Sequence, residues 1–409
     1  MHILFLTQMI PYPPDAGPRV KTWHVLRHLA ESGHRVTLAS FVRPEEAPYL
    51  HALEEVCSAV CSVPIRRSRL ADIGYWIKSN LTGRPFLVER DNLAEMRRLV
   101  QRLLDAEQVD AIHADQLTMT QFALNGSNKI PVPAIFDAHN AVWTIIDRMH
   151  RNAPWFLKPL ASLEALRVKR YEGMIVRKFD HTLAVTEPDR QALLQAVAVS
   201  SDCAGLDEAR ISVVPIAVDT NELQPIQRLP GTANLLTLGT LHYPPNADGI
   251  RWFAQEVFPL VRRKVPATTL TIVGKNPPAD FLQLAARNPG VIRVTGYVPD
   301  LTPFMEQAAI MVVPVRAGGG MRVRILEAFA RAMPAVTTTV GLEGIEAQPG
   351  EDVLVADSAP AFAQAVTGLL QDPELQARLA SNGRRLAVKC YDWQVVLKKM
   401  DVVYSPAGM

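Results

Sequence analysis

The sequence has few cysteines, no dominant charge and no long apolar run, and each absence excludes a class of protein. Four cysteines in 409 residues do not make a disulfide scaffold, so we expect free thiols in a reducing compartment. The 43 basic and 41 acidic residues give a formal net charge of +2, which argues against bulk nucleic-acid binding. No run reaches the roughly 18 apolar residues of a membrane-spanning helix, and the opening residues MHILFLT lack the basic start of a signal peptide. We therefore expect a cytoplasmic protein without nucleic-acid partners.

Short apolar runs alternate with longer amphipathic ones along the chain, which predicts parallel α/β sheets. A polar, proline-containing stretch at 221–232 separates two such series. The predicted strands of the first series are 2–7, 35–41, 110–115, 134–139, 181–186 and 211–215, with a helix over 19–32; those of the second are 235–240, 269–274, 292–296, 309–314, 335–339 and 352–356. The pattern predicts two doubly wound, Rossmann-like domains, whose ligands bind at the carboxyl ends of the strands.

The loop after the first predicted strand, residues 8–19, is rich in proline. It has neither the G-x-G-x-x-G turn of a dinucleotide site nor a Walker loop, which argues against dehydrogenases and kinases. Gly17 would let a substrate approach the backbone, and Arg19 would offer positive charge. The alternative is a stiff connector between strand and helix.

A second informative loop follows the predicted strand 309–314. It contains Gly318, Gly319 and Gly320, and a helix is predicted to start near Met321. Exposed amides and the helix dipole attract anions there, whereas Arg322 and Arg324 lie in the first turn, where the dipole disfavours cations. This misfit indicates a bound anion such as a diphosphate, and Glu327, about one turn deeper, could accept hydrogen bonds from ribose hydroxyls. The alternative is a tight turn before a helix with a solvated salt-bridge face.

This stretch resembles the Glu-x7-Glu region of family-four retaining glycosyltransferases, which have the GT-B architecture. Further motifs match in order along nearly the whole chain, although most are weak individually: FDAHN at 136–140, TEPDR at 186–190, VPIAVD at 214–219, a Gly…Pro-Asn…Trp-Phe pattern at 239–253, LEGI at 342–345 and YDW at 391–393. The last three are similar to a subgroup of bacterial polysaccharide-locus sugar transferases.

The resemblance implies a retaining, metal-independent glycosyltransferase that moves a sugar from a nucleoside-diphosphate sugar, UDP- or GDP-linked, to a hydroxyl acceptor in polysaccharide or glycoconjugate synthesis. No cofactor is expected, and no Asp-x-Asp loop offers to hold Mg²⁺. Residues 1–220, completed by a C-terminal helix within 390–409 that crosses back, would face the acceptor, and residues 221–389 would bind the nucleotide sugar. The implied residues are His139, Arg322 and Arg324 for catalysis; Gly17, Gly239, Asn246, Val298, Gly319, Gly320, Met321, Arg322, Val323, Arg324 and Glu327 for the donor; and Arg19 and Asp137 on the acceptor side.

Two departures from the family pattern bear on activity. The first glutamate of Glu-x7-Glu falls on Gly319, so backbone amides of Gly320 and Met321 would have to contact the sugar instead. The usual Arg and Lys after the first strand of the second domain are missing from 240–246, leaving the diphosphate to Arg322 and Arg324. One alternative is therefore a nucleotide-sugar-binding protein without transferase activity, and another is a GT-B nucleotide-sugar epimerase, which needs general bases beside the sugar.

Several residues outside the glycine loop have a structural as well as a functional interpretation. His139 is either a donor or acceptor contact or a hydrogen-bonded core residue, Asp137 could cap the following helix, and Glu187 could be a first-turn helix carboxylate. The segment 147–178 is basic and carries Trp155 and Phe156, which suits an anionic lipid surface or a lipid-linked acceptor. Its alternative is a solvated helix face with the aromatics in the core, and Glu164 and Glu172 dilute its charge.

Overall fold

The structure, a computed structural model, describes residues 1–15, 17–125, 128–151, 155, 158–200 and 207–405. Contacts divide the chain into two compact units. The first unit is Met1–Ile216 together with Val396–Met409, and the second is Ala217–Val395. None of the helices in the described ranges has the length and apolar content needed to cross a membrane.

The first unit contains a parallel sheet and a small hairpin. Its strands are β1 (His2–Thr7), β2 (Arg35–Val42), β3 (Ala59–Pro64), β4 (Ala111–Asp115), β5 (Leu124–Asn125), β6 (Asn128–Lys129), β7 (Ala134–Ala138), β8 (His181–Ala184) and β9 (Ile211–Val213). Within the described ranges the sheet has seven strands, in the order β3-β2-β1-β4-β7-β8-β9, and β5 pairs with β6 alone. The strand order reverses between β1 and β4, which makes their carboxyl ends the expected ligand position.

Helices cover this sheet. They are α1 (Gly17–Glu31), α2 (Leu50–Glu54), α3 (Arg69–Thr82), α4 (Phe86–Arg90), α5 (Ala94–Ala106), α6 (Val142–Arg151), α7 (Lys158–Lys178) and α8 (Glu187–Val197). Every residue of β1, β4 and β7 is buried, as expected for central parallel strands with both faces covered. The apolar runs in the sequence therefore coincide with the centre of the sheet.

The second unit repeats the architecture. Its strands are β10 (Asn234–Leu238), β11 (Thr269–Val273), β12 (Ile292–Thr295), β13 (Ala308–Val313), β14 (Ala335–Thr337) and β15 (Leu354–Val355). Its helices are α9 (Pro244–Trp252), α10 (Phe258–Lys264), α11 (Ala279–Arg287), α12 (Thr302–Glu306), α13 (Val323–Ala330), α14 (Thr339–Leu342), α15 (Ala359–Gln371), α16 (Pro373–Leu386) and α17 (Trp393–Val396). All strand pairs are parallel, in the order β12-β11-β10-β13-β14-β15, so the order reverses between β10 and β13.

The structure confirms both predicted strand series, with most strands one to three residues shorter than predicted. Strand β3 was not predicted, because it is a partly exposed edge strand that contains serine and ends in proline and so lacks a continuous apolar run. The helix after the glycine loop begins at Val323 rather than near Met321, since Arg322 has non-helical angles (φ −94°, ψ 88°).

The C-terminal helix predicted within 390–409 is shorter than predicted in the described residues. Asp392 is extended (φ −66°, ψ 135°) and pairs with Val218 in a β-bridge, which interrupts helical structure there. Only α17 and a 3₁₀ turn at Leu397–Met400 follow, and positions 406–409 of the prediction lie outside the described residues. From Val396 the chain belongs to the first unit, where Asp401 Oδ1 lies 2.7 Å from His28 Nε2.

Two family-like motifs that are far apart in sequence bind each other inside the second unit. Thr220 Oγ1 donates to Asp392 Oδ2 at 2.6 Å, and Trp393 Nε1 donates to Asp219 Oδ2 at 3.1 Å. Trp393 is almost completely buried. Asp219, Asp392 and Trp393 of these motifs thus have a structural role within this unit.

Candidate functional site

In the first unit, polar side chains collect where β4 and β7 end beside α1. Asp137 is fully buried and forms an ion pair with Lys21, which is also buried. His113 Nε2 lies 3.5 Å from the other Asp137 oxygen. Burial opposes ionisation, but the Lys21 ammonium and His113 outweigh it and hold the pKa of the Asp137 carboxyl well below its usual range.

Asp137 is therefore a buried ion-pair partner. It does not present its carboxylate to solvent, as an acceptor contact would require. The capping interpretation of Asp137 is wrong, because Glu172 supplies the cap of α6: its carboxylate accepts from the backbone N–H groups of Val142 at 2.7 Å and Trp143 at 2.9 Å. Burial raises the pKa of Glu172 to about 8.

His139 has an orienting partner. Its Nε2 lies 2.6 Å from Asp115 Oδ1, and Thr7 Oγ1 donates to Asp115 Oδ2 at 2.8 Å. Nδ1 of His139 is buried and has no hydrogen-bond partner among the described residues. A carboxylate that holds one imidazole nitrogen fixes the orientation of the ring. The structure confirms that His139 is a hydrogen-bonded, buried side chain; its contact with the donor or acceptor stays a prediction.

His113, Asp115 and Asp137 each offer a ligand atom, and these atoms lie within 4.8 Å of one another. Each residue already has a protein partner: Tyr404 OH for His113, His139 for Asp115 and Lys21 for Asp137. The Lys21 ammonium supplies the positive charge that a metal would bring. We therefore interpret the cluster as a buried ion-pair network.

Ion pairs of Arg19 stabilise the loop after β1. Arg19 donates to Asp15 at 2.9 Å and to Glu46 at 2.6 Å, and Gly17 is the first residue of α1. Both carboxylates engage the charge that Arg19 was predicted to offer a substrate, and the acceptor-side role of Arg19 stays a prediction. This favours the alternative of a stiff connector.

In the second unit, the glycine loop follows β13 at the point where the strand order reverses. Gly318 and Gly320 have φ of +104° and +81°, which side chains other than glycine rarely adopt. Arg322 Nη1 donates back to the carbonyls of Gly319 and Gly320. Arg322 therefore stabilises the fold of the loop itself.

Arg324 bonds to the end of β10 and to helix α9 beside this reversal. Its Nη1 donates to the carbonyl of Leu238, the last residue of β10, and its Nη2 donates to Asn246 Oδ1 at 2.8 Å. A Cβ at Gly239 would lie 2.9 Å from Arg324 Nη1, so glycine at 239 makes room for the guanidinium. Burial lowers the pKa of Arg324 to about 10, which leaves it charged at neutral pH.

Glu327 lies one turn further along α13. Its side chain is half-buried, and among the described residues no hydrogen bond to its carboxylate is formed. Burial raises the pKa of Glu327, while Arg324 and Arg331 oppose that rise. A half-buried carboxylate without a donor partner, near the half-buried Arg324 cation, is suited to accept hydrogen bonds from a ligand.

The other predicted donor residues are distributed around this point. Met321 and Val323 are buried beside the loop, and Asn246 binds Thr240 O at 3.3 Å as well as Arg324. Val298 follows β12, two strands away from β10, so the sheet does not bring it to the strand reversal.

Sequence reasoning missed three charged residues near these sites. Lys21 lies on the buried stripe of α1 with Val25 and Leu29, and a lysine in such a stripe signals a buried partner. Asp115 is the last residue of a predicted strand, and that position alone could have marked it as a candidate site residue. Lys275 follows β11; its backbone carbonyl accepts from Leu241 N at 3.3 Å, and its ammonium lies 4.5 Å from the centre of the Tyr297 ring.

Outside the glycine loop, Glu187 is the first residue of α8. It is exposed, and Arg190 donates to it at 3.2 Å. Its hydrogen bond with Gln191 lowers its pKa. The structure thus gives Glu187 the helix first-turn role.

Comparisons with known proteins agree along the chain. Residues 17–222 match the family profile described as Glycosyltransferase Family 4, and residues 232–372 match the profile described as Glycosyl transferases group 1. A glycogen synthase of Mycobacterium tuberculosis is 28% identical over 308 residues, 73% of this chain and 69% of that protein. A 44.6 kDa protein in the cps region of Klebsiella pneumoniae is 23% identical over 97% of this chain and 98% of its own length.

A solved structure shows the fold. HepE from Anabaena, crystallised in complex with UDP and glucose, superposes with a TM-score of 0.66 at 15% identity and covers 98% of both chains. At that identity the similarity concerns the fold alone, and it confirms the GT-B architecture.

Proposed function

Because the chain belongs to Glycosyltransferase Family 4 and is a glycosyltransferase, we propose that it transfers a sugar with retention of configuration, and without a metal, from a UDP- or GDP-sugar to a hydroxyl acceptor in polysaccharide or glycoconjugate synthesis. The donor binds the second unit, and the acceptor binds the first. The alternatives, a binding protein without transferase activity and an epimerase, are not favoured by the relatives.

One observation carries the donor assignment: Arg324 and Glu327 lie together at the strand reversal of the second sheet. The Arg324 guanidinium spans the end of β10 and Asn246 and keeps its charge. Preorganised positive charge stabilises the negative charge that develops on a leaving diphosphate. The glycine loop beside it offers backbone amides, and Glu327 accepts from the ribose hydroxyls.

The acceptor side rests on His139. Asp115 fixes the ring through Nε2, and the side chain, which keeps 7% of its surface exposed, is proposed to contact the donor sugar or the acceptor hydroxyl. We further propose a lipid-linked acceptor and a peripheral contact with the inner face of the plasma membrane, supported by the basic residues of the 147–178 segment. Phe156 of that segment lies outside the described residues, and Trp155 is 83% exposed, which contradicts its placement in the core.

The proposed function is tested with the full chain and a panel of UDP, GDP, ADP and dTDP sugars. Calorimetric titration is expected to select UDP or GDP, and release of the free nucleotide with lipid-linked acceptors then reports transfer. Nucleotide binding without sugar transfer or hydrolysis would support a binding protein instead. Interconversion of the free nucleotide sugar would indicate an epimerase.

Glu327→Gln is expected to weaken nucleoside-diphosphate binding by about 1–2 kcal/mol, because a charge-assisted acceptor is replaced by a neutral one of the same shape. The apo melting temperature should hardly change, because no described residue donates a hydrogen bond to this carboxylate. Titration with UDP or GDP and thermal unfolding of the apo protein measure the two effects. A large loss of apo stability would give Glu327 a structural role.

Asp115→Asn is expected to lower the rate of transfer about tenfold, on the scale of a positioning residue that fixes an imidazole. The nucleotide affinity of the second unit should remain unchanged. Steady-state kinetics and UDP titration separate these effects, with Asp105→Asn on α5 as a surface control. Equal losses of transfer and nucleotide binding would contradict the proposed role of His139.

A further inference from the structure

Helix α3 of the first unit is amphipathic but keeps almost nothing buried. Of its fourteen residues, only Ser79 is buried. Leu70 and Leu81 are each 82% exposed, and Ile73 and Ile77 are at least half exposed. The positions 70, 73, 77 and 81 follow helical spacing, so these side chains form one stripe. Trp76 beside them is also exposed.

Helix α7 extends this surface. Leu160, Leu163 and Leu166 on its first half are exposed, and Arg167 Nη1 donates to Asn80 Oδ1 of α3 at 3.2 Å. The two helices are thus neighbours in the first unit. We call the apolar side chains at 70, 73, 76, 77, 81, 160, 163 and 166 the α3–α7 face. Contiguous exposed apolar patches of this kind mark interaction sites.

The charge around the α3–α7 face is strongly positive. Residues 66–84 contain five basic and one acidic residue, and α7 contains six basic and two acidic residues. These two segments carry a formal charge of +8 in a chain whose total is +2. Two acids outside these segments pair with their basic residues: Asp91 with Arg67, and Glu89 with Lys78 and Arg84. Counting these two acids lowers the formal charge from +8 to +6, which is still clearly positive.

We propose that the α3–α7 face docks on an anionic lipid bilayer. The inference deepens the peripheral membrane contact proposed above and rests on that part of the proposed function. An apolar stripe with tryptophan, flanked by lysine and arginine, is the composition of a helix that lies in a membrane interface. Each basic residue near such a surface adds to the attraction. A second copy of the chain would bring two such basic surfaces together in a symmetric contact, which electrostatic repulsion opposes.

Helix α3 is linked through Asp72 to a polar cavity of the same unit. The cavity lies at the carboxyl ends of β1, β2 and β3 and is lined by Gln8, Met9, Arg43, Glu46, Ile65, Arg67 and Arg90. Arg90 also pairs with Asp72 of α3 at 2.8 Å. Docking through α3 would therefore hold this arginine-lined cavity next to the lipid headgroups, where an amphiphilic acceptor would present its polar end.

Cosedimentation of the full chain with vesicles tests the proposal. Wild-type protein is expected to bind phosphatidylcholine–phosphatidylglycerol vesicles (7:3) at least tenfold more tightly than pure phosphatidylcholine vesicles, and less tightly at high salt. Leu70→Glu/Leu81→Glu should lower binding to the anionic vesicles at least tenfold. The matched control is Leu229→Glu/Leu282→Glu, which changes two exposed leucines of the second unit and alters the net charge equally.

The control double variant is expected to bind the anionic vesicles less than threefold more weakly than the wild-type protein. The proposal is overturned if wild-type protein stays in the supernatant, or if both double variants lose binding equally. It is also overturned if Leu70→Glu/Leu81→Glu only dissociates a dimer in sedimentation velocity, or only releases a protein partner, while vesicle binding persists. Titration with UDP and GDP accompanies each variant. Unchanged nucleotide binding shows that a failure at the membrane is separate from a failure of the proposed donor site.

Discussion

Lys21→Met is expected to destabilise the first unit by about 3–5 kcal/mol, the cost of removing one partner from a buried ion pair. Lys21 is 2% exposed and Asp137 is fully buried, so the variant leaves an unpaired carboxylate in the core. Chemical denaturation of the full chain, followed by probes in each unit, measures the change. The second unit should unfold as in the wild-type protein.

Two variants establish that the ion pair is responsible. Lys21→Met/Asp137→Asn removes both charges and should recover at least half of the lost stability. Arg27→Met on the same helix is the matched control. Arg27 Nε lies 3.9 Å from Glu31 Oε1, and Arg27 is partly exposed. Its replacement should therefore lower the free energy of unfolding by less than about 1 kcal/mol. Equal losses for Lys21→Met and Arg27→Met would contradict the importance of the buried pair.

Arg324→Ala is expected to weaken nucleoside-diphosphate binding by about 1.5–3 kcal/mol, the range for a hydrogen bond to a charged group. This corresponds to roughly 10- to 150-fold in Kd. The variant removes the cation and also frees the carbonyl of Leu238. Calorimetric titration with UDP and GDP measures the loss, and binding to the wild-type protein should weaken at higher salt.

Asn246→Ala separates the charge of Arg324 from its position. It removes one acceptor of the guanidinium but keeps the cation, so its loss of affinity should be smaller than that of Arg324→Ala. Arg251→Ala is the matched control, because Arg251 is partly exposed and pairs with Asp280 at 2.7 Å. Unchanged affinity in Arg324→Ala would exclude Arg324 from the anion site.

The fold was predictable because buried parallel strands give continuous apolar runs. Strands such as β1 and β13 are buried along their whole length and are evident in the sequence. Strand β3 was not evident in the sequence, because an edge strand does not need a continuous apolar run. The C-terminal segment was predicted as one helix from its apolar spacing, but Asp392 bonds to Thr220, and no local pattern reveals a partner 172 residues away.

The candidate site was predictable in residue type and only partly in geometry. Glycines and charges after a strand indicated the loop at Gly318–Gly320. The sequence could not show that Arg324 bonds to a carbonyl 86 residues earlier, nor that Arg322 folds back on its own loop. The exposure of α3 could not be predicted from the sequence either. An amphipathic helix normally buries its apolar stripe, and only the structure shows that α3 does not.

The bond between Tyr404 and His113 also fixes an order of events during synthesis. Residues 1–216 leave the ribosome first, but Tyr404, which packs into their core, is made only after the second unit. At about 5–20 residues per second, the roughly 190 intervening residues take about 10–40 s to translate. During that interval His113 lacks its Tyr404 partner. The first unit can be completed only after the C-terminal segment has been synthesised.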